Sequence, residues 1–359
     1  MLKKLDRYIL KKFISTFFFS IGLITILLIV FDISEKLDNF IEHHIPIKEI
    51  IFDHYINFIP YFVNTLSPLF IFISVVFFTS KMAARYETVA ILSSGVSYAR
   101  FLRPYMIGAA FFCMLSLFLG HFVIPKGNRI KQEFEDKYIN NHYNTEDRNV
   151  HRNFGPGFKM SLESYNNYEK RAYNFAMERY KGKQMIWYFT ANTILWDSIK
   201  RTWTADTWFE RYPGVKKDSI NSGKTRILKI DFSPDDMARK ESKEDVMTYF
   251  ELKKYIAKER AKGTPDLQKF EVVNYKRTSV PFASFILTLI GVALAARKTR
   301  GGIGMHITIG LLVGATYILL LHFCSTFADN SLIPPLLAVW FPNILYSIVA
   351  LLLIKFAQK

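Results

Sequence analysis

Apolar residues along the chain gather into six long runs almost free of charge, separated by polar stretches of very unequal length. The runs are FISTFFFSIGLITILLIVF (13–31), LSPLFIFISVVFF (66–78), YMIGAAFFCMLSLFLGHFVI (105–124), VPFASFILTLIGVALAA (280–296), ITIGLLVGATYILLLHF (307–323) and PPLLAVWFPNILYSIVALLLI (334–354). A helix that crosses a bilayer needs about 20 predominantly apolar residues. Each run meets that length once the second is extended back through two prolines to about Asn57. The first run follows the charged MLKKLDRYILKK without a small-residue cleavage site, so it reads as a retained helix and not a secretory leader. The pattern predicts six crossings, three on each side of a long polar segment.

Within that segment, from about Asn153 to Phe232, the period changes. FKMSLESY, AYNFAMERY, MIWYFTANTILW, TWTADTWFERY and TRILKIDF are aromatic and β-branched runs with partial alternation. Turn-forming clusters separate them: GPG (155–157), YKGK (180–183), WDSIKR (196–201) and YPGVKKDSINSGK (212–224). Short strands so spaced predict a β-sandwich or open barrel. Trp187, Trp196, Trp203 and Trp208 fall on these strands, where aromatics pack as core or rim. MTYFELKKYIAKERAKG (247–263) then predicts a helix with Phe250, Leu252, Tyr255 and Ile256 facing inward and Gly263 as its stop.

Charge sets the expected orientation. The 359 residues carry a formal net charge of +16 and 33 phenylalanines. With the N-terminus inside, the inner segments hold Lys3, Lys4, Arg7, Lys11, Lys12, Lys81, Arg85, Arg100, Arg103, Arg297, Lys298, Arg300, Lys355 and Lys359, whereas the short outer loops hold only Lys36 and Lys48. The positive-inside rule then places both termini in the cytoplasm and the long segment outside; its own cations do not count against this, because long domains cross regardless of charge. Its net positive surface suits an anionic partner such as a phosphorylated lipid, or is merely a solvated face. Nucleic acid does not fit a surface outside the inner membrane.

Candidate chemistry is sparse. Cys113 and Cys324 lie in predicted membrane helices without metal or disulfide spacing. Ser222–Thr225 reads SGKT, but a phosphate-cradling loop needs a glycine where Asp218 stands. GxSxG, HExxH and a carboxylate pair in the helix centres are all missing from the sequence. Asp32 and Glu35 sit at the outer end of the first helix, where the interface can hydrate them.

One inner loop stands out: RYETVAILSSGVS (85–97). Helical spacing puts Met82, Val89, Leu92 and Val96 on one face and Glu87, Ile91 and Ser94 on the other, with Gly95 as a stop that adopts a left-handed conformation cheaply. The pattern predicts an amphipathic helix over about 82–95. It is either an interfacial helix that stabilises the loop or a docking helix for a cytoplasmic partner, which a membrane protein without its own ATP site would need.

MAARYETVAILSSGVS (82–97) resembles the coupling helix of the lipopolysaccharide-export permeases, the LptF/LptG family, with its "AxRxELxxLxASGxS" stretch. Further similarities follow in order: LDRYI (5–9), FVIPKGN (122–128) after the third helix, SPDDM (233–237), YFELKKYI (249–256) and NYKRTSVPFASFILTLIGVALA (274–295), which is similar to the family's "K-x-x-x-P" opening of its fourth helix. The resemblance implies a membrane α-helical fold of six helices, 3+3, with an inserted periplasmic β-jelly-roll-like domain. The parts are helices 1–3 with the coupling helix (1–124), the jelly-roll and following helix (125–273) and helices 4–6 (274–359). It implies a multi-pass inner-membrane permease subunit of an ABC transporter, with no cofactor of its own. An LptB-like ATPase dimer uses the ATP. The other implied partners are an LptF-like second permease, an LptC-like bitopic protein, a periplasmic LptA-like bridge and lipopolysaccharide, whose lipid A portion is extracted from the outer leaflet. Arg85, Glu87, Ile91 and Gly95 are then the ATPase-coupling residues, with Glu87 pairing a basic residue of the ATPase.

On the substrate side the chain departs from the family. LptG proteins often present lysines at the outer end of the first helix and two arginines after the third; here Asp32, Glu35, Lys36 and Asp38 occupy the first place, and Gln132 and Glu135 the second. Lys36, Lys126, Arg129 and Lys131 are the expected lipid A phosphate contacts instead. Alternatives are the LptF subunit, although the opening LDRYI leans to LptG, or a non-transporting membrane scaffold that recruits an ATPase. A membrane-embedded enzyme lacks an acid/base or nucleophile constellation.

Overall fold

The computed structural model describes residues 3–139, 147–153, 157–166, 169–198, 200–214, 217–228, 230, 234, 243–262, 267–296 and 302–357. Most of SPDDM, together with Gly263, Arg297, Lys298, Arg300 and Lys359, lies outside them. Six helices are long and apolar enough to cross a membrane: α1 (Lys4–Glu42), α2 (Ile47–Ala84), α4 (Tyr98–Tyr138), α6 (Leu267–Ala295), α7 (Gly302–Asp329) and α8 (Pro335–Phe356). A short helix α3 (Glu87–Ser93) lies between α2 and α4, and α5 (Tyr249–Lys262) precedes α6. The third long helix does not end near residue 124 but continues to Tyr138.

The chain divides into two compact units: residues 1–132, 244–253 and 268–359 form one, and 133–243 with 254–267 the other. In the membrane unit, apolar burial cannot by itself drive helices together in lipid, so close packing and interhelical hydrogen bonds take over. Gly108 of α4 lies against the Phe13 ring of α1, and Gly291 of α6 against Val75 and Phe72 of α2. Thr79 and Tyr105 hydroxyls meet at 3.0 Å, Ser80 Oγ and His306 Nδ1 at 2.8 Å, and Ser116 donates to Asn64 at 2.7 Å. Asn343 of α8 accepts from Tyr317 at 2.9 Å and donates to the Ser279 carbonyl at 2.7 Å, tying three helices at one residue. Cys113 and Cys324 are buried as small apolar residues would be.

Two stretches of wider π-helical turn interrupt the α geometry, Ile50–Tyr55 in α2 and Leu119–Val123 in α4. The first misaligns backbone carbonyls, and the Asn57 amide donates to two of them, Phe52 O at 3.0 Å and Asp53 O at 2.9 Å. Such turns recur at functional sites because they re-aim side chains.

The other unit is built on six strands: β1 (Asp147–Asn153), β2 (Phe158–Asn166), β3 (Arg171–Lys181), β4 (Gln184–Asp197), β5 (Thr202–Tyr212) and β6 (Ser219–Leu228). They form one antiparallel sheet in chain order, each paired to the next. Over the described residues the strand spacing, which left sandwich and barrel open, thus yields one continuous sheet. Its buried face carries Met160, Leu162, Phe175, Met177, Phe189, Ile194, Trp203 and Leu228, with Trp187, Trp196 and Trp208 against them. Residues 219–224, expected in a turn, are the first half of β6. Serine, asparagine and glycine are poor strand formers; here Gly223 lets the strand lie against the Trp208 indole, where a Cβ would stand 2.9 Å from Nε1. In α5, Leu252 and Ile256 are buried as expected, but Phe250 is 69% exposed. Residues 250 and 252 are two apart and cannot share a helix face.

Candidate functional site

Two groups of side chains in the membrane unit answer to the sequence expectations. The first is the loop after α2. A single helix over about 82–95 does not form: α2 ends at Ala84, Tyr86 takes a left-handed φ of 60° and α3 starts at Glu87. Met82 therefore belongs to α2, and the expected faces are redistributed. Thr88 is buried, while Ile91 and Leu92 pack against the core that contains Phe13, Val75 and Tyr105. Val89, placed by spacing on the inner face, is 49% exposed. The outward apolar side chains are thus Tyr86 and Val89, and not Ile91. The break at Tyr86 rotates α3 relative to α2, a change that periodicity counted through the break could not register.

Glu87 opens α3 and is half-buried; the Tyr8 hydroxyl of α1 donates to its Oε2 at 3.1 Å. A carboxylate in the first turn is favoured by the helix dipole. Arg85 is exposed at the end of α2, its N–H donating to Lys81 O at 3.2 Å. Gly95 has φ of 86°, donates to Leu92 O at 3.2 Å and closes α3 as the spacing predicts. Ser97, not singled out by the sequence, caps α4 by accepting from Arg100 N at 3.3 Å. Lys4, Arg7, Tyr8 and Lys11 form an exposed basic strip along one side of α1. The Arg100 guanidinium binds buried Asp6 of α1 at 2.7 Å, fixing the start of α4 against α1. Exposed apolar groups, a half-open carboxylate and a basic strip make a surface that a second protein could complete.

The second group lies at the other end of α1. Asp32 accepts from Lys36 Nζ through Oδ1 at 3.0 Å, and from His54 Nε2 at 2.9 Å and the Tyr55 hydroxyl at 3.0 Å through Oδ2. His54 and Tyr55 are consecutive residues of the π-helical stretch. Lys36 Nζ lies 5.9 Å from the centroid of the Phe58 ring, and Lys131 Nζ 5.4 Å from the same ring. Two of the four expected phosphate contacts, Lys36 and Lys131, therefore border the same aromatic ring.

Arg129 is not brought with them. It donates to Glu251 at 3.0 Å and to Val246 O at 3.4 Å, holding the chain before and at the start of α5. On a helix, residues two apart point about 200° from one another, so Lys131 and Arg129 diverge. Lys126 is exposed on α4. Arg277 of α6 shares the work of Arg129: it donates to Met247 O at 2.6 Å and Glu244 O at 2.9 Å. Burial pushes the neighbouring Asp245 carboxyl up, against the pull of the Arg277 charge. The spacing in NYKRTSVP marked Arg277 only as part of a helix opening; its carbonyl partners lie some 30 residues away and leave no local signal.

Six membrane helices in a 3+3 arrangement around an inserted antiparallel sheet define a multi-pass membrane protein with a β domain between its halves. The model of the lipopolysaccharide export system permease LptF/LptG family matches residues 7–355. The chain belongs to that family, and is a lipopolysaccharide-export permease component of the inner membrane. Among curated proteins there is no match.

Proposed function

We propose that this chain is the LptG-type permease subunit of an ABC transporter that draws lipopolysaccharide from the outer leaflet of the inner membrane. A separate LptB-like ATPase dimer drives it. An LptF-like permease completes the membrane cavity, and LptC-like and LptA-like proteins receive the lipid outside. The positive-inside distribution supports cytoplasmic termini and a periplasmic sheet. The observation that carries the reading is the surface around α3: a separate short helix, broken from α2 at Tyr86, presents Glu87, Tyr86 and Val89 beside the exposed basic strip of Lys4, Arg7 and Lys11 on α1. Ser222–Thr225, the one stretch resembling a nucleotide loop, is strand β6. In this reading energy arrives through the docked ATPase.

On the outer side, Lys36 and Lys131, which border Phe58, are the phosphate contacts, with Lys126 and Arg129 in lesser roles. The sheet suits acyl chains: its buried cluster, among the described residues, is made of strand residues and Ile230 alone, as expected of a sheet that curls over its own apolar face. The test is mild-detergent purification of the tagged protein with mass spectrometry of what accompanies it. An ABC ATPase and a second six-helix permease are expected; a protein recovered alone, with normal lipopolysaccharide export by cells lacking it, overturns the reading.

A further inference from the structure

We propose that Asp32 is a built-in counter-anion of the outer site: it holds Lys36 while the site is empty and gives it up when a phosphorylated headgroup arrives, thereby setting the affinity. This rests on the reading of phosphorylated glycolipid as the ligand. An exposed i,i+4 ion pair is worth a few tenths of a kcal/mol, and its carboxylate swings freely. Asp32 does not swing. It is 8% exposed and takes three donors from two helices, Lys36 from its own and His54 and Tyr55 from α2. His54 and Tyr55 both bind Oδ2, whereas Lys36 binds Oδ1. The anion therefore stays anchored when Lys36 leaves.

Lys36 in turn has somewhere to go. Its ammonium borders the Phe58 ring, as does the Lys131 ammonium, so the two cations lie around one aromatic side chain. The groups facing the carboxylate are Lys36 from α1 and His54 and Tyr55 from α2, with Lys131 of α4 beyond Phe58. A phosphate monoester carries about −1.5 to −2 charges and three acceptor oxygens at pH 7. Its greater charge competes for Lys36 with the single oxygen, Oδ1, that Asp32 offers it, and its other oxygens remain for further donors. When the headgroup departs, Asp32 recaptures Lys36. Binding is weaker than two bare lysines would give, and release is correspondingly easier, as a carrier requires.

The experiment uses the complete permease complex in nanodiscs of zwitterionic lipid, titrated at fixed ionic strength with fluorescent bis-phosphorylated lipid A. Asp32→Asn should bind about tenfold tighter than wild type and Lys36→Gln about tenfold weaker. Asp32→Asn placed in the Lys36→Gln background should change affinity less than twofold. With fully dephosphorylated lipid A the gain from Asp32→Asn should vanish, a dependence that a merely structural role of Asp32 would not show. Should Asp32→Asn fail to assemble, Asp32→Ser, which keeps a hydroxyl toward Tyr55, takes its place with the same expected direction. Unchanged or weaker binding of the phosphorylated lipid by the Asp32 variant, beside a wild type that binds it, overturns the proposal. A wild type that does not bind lipid A overturns the substrate reading, and this one with it.

Discussion

Glu87 and Asp32 are both carboxylates of the membrane unit, one opening α3 and the other inside α1, and the fold treats them in opposite ways. Glu87 is half-buried and has a single side-chain donor, Tyr8, in an exposed bond. Its neighbours Tyr86 and Val89 point their apolar surface outward. Asp32 is buried, and three side chains close around it. A carboxylate left open has spare acceptor capacity for a basic group on another protein. One that is closed can act on a ligand only by exchanging a partner it already holds. We therefore propose that the two ends differ in what completes them, a partner protein at the loop and a displaced counterion at the Asp32 site.

The largest effect expected from this contrast is at the open end. Glu87→Ala removes an exposed hydrogen bond worth about 1 kcal/mol at most, so insertion and thermal midpoint should barely move. Recovery of the ATPase with the purified permease should fall at least tenfold. Normal recovery and export by a stably inserted Glu87→Ala protein would return α3 to the role of an interfacial helix. At the outer end the expected effects separate the four cations. Lys36→Gln and Lys131→Gln should each weaken binding of phosphorylated lipid A by about tenfold, since a charge-assisted hydrogen bond is worth about 1.5–3 kcal/mol. Lys126→Gln should change it less than twofold. Arg129→Gln should leave it intact while loosening the segment before α5, visible as faster amide exchange at 244–251. Equal losses at all four positions would mean that a diffuse basic surface, and not the Phe58 pair, receives the phosphate.

How far the sequence could anticipate these sites follows from the range of the interactions. Long apolar runs almost free of charge announce crossings because every residue reports the same solvent. Strand alternation likewise announced the sheet, and Trp203 its core. Gly95 was legible because a left-handed stop is a property of one residue type. The facing of α3 was not: a single left-handed residue, Tyr86, resets the helical phase, and no propensity marks a tyrosine for φ of 60°. The approach of Lys36 and Lys131 to Phe58 was half legible, since both lysines were singled out as cations but the ring that both border lies in another apolar run. Asp32 looked like a mere departure from the family's lysines, and only its three donors show that it belongs to Lys36. Arg129 misled because its charge was visible and its partner, Glu251, was not.

A smaller effect is expected at Gly95. An added Cβ there meets nothing within 4 Å, so the only penalty is torsional. Gly95→Ala should destabilise the loop by about 1 kcal/mol, the ordinary excess of a left-handed residue. Gly95→Asn, more tolerant of that conformation, should lose less. The readout is ATPase retention after detergent washing, with Ala weaker than Asn and both far milder than Glu87→Ala. An Ala variant that retains the ATPase like wild type would show that the end of α3 relaxes freely, and that the open site is adaptable beyond Glu87.

The sheet supplies a third carboxylate that sharpens the contrast, because it is closed like Asp32 but has nothing to exchange. Glu210 of β5 is buried and accepts from Trp187 Nε1 at 2.8 Å, Tyr212 OH at 3.1 Å and Arg226 Nη1 at 2.8 Å. Arg226 is itself stacked 4.8 Å from the Trp208 ring, inside the same sheet. Burial alone would raise the Glu210 pKa, yet the three donors together hold it below the ordinary glutamate value. A folded pKa below the unfolded one means stability that is fully present above about pH 4.3 and is lost as the pH falls through the folded value. Thermal melts followed by tryptophan fluorescence should therefore show wild type losing stability over the acidic interval below about pH 4.3. Glu210→Gln should start lower by roughly 1 kcal/mol and lose less over that interval. Binding of phosphorylated lipid A at neutral pH should be the same in both proteins. A Glu210→Gln variant that instead gains lipid affinity, as Asp32→Asn is expected to, would show that a closed carboxylate raises affinity when neutralised wherever it lies, and that Asp32 has no special relation to Lys36.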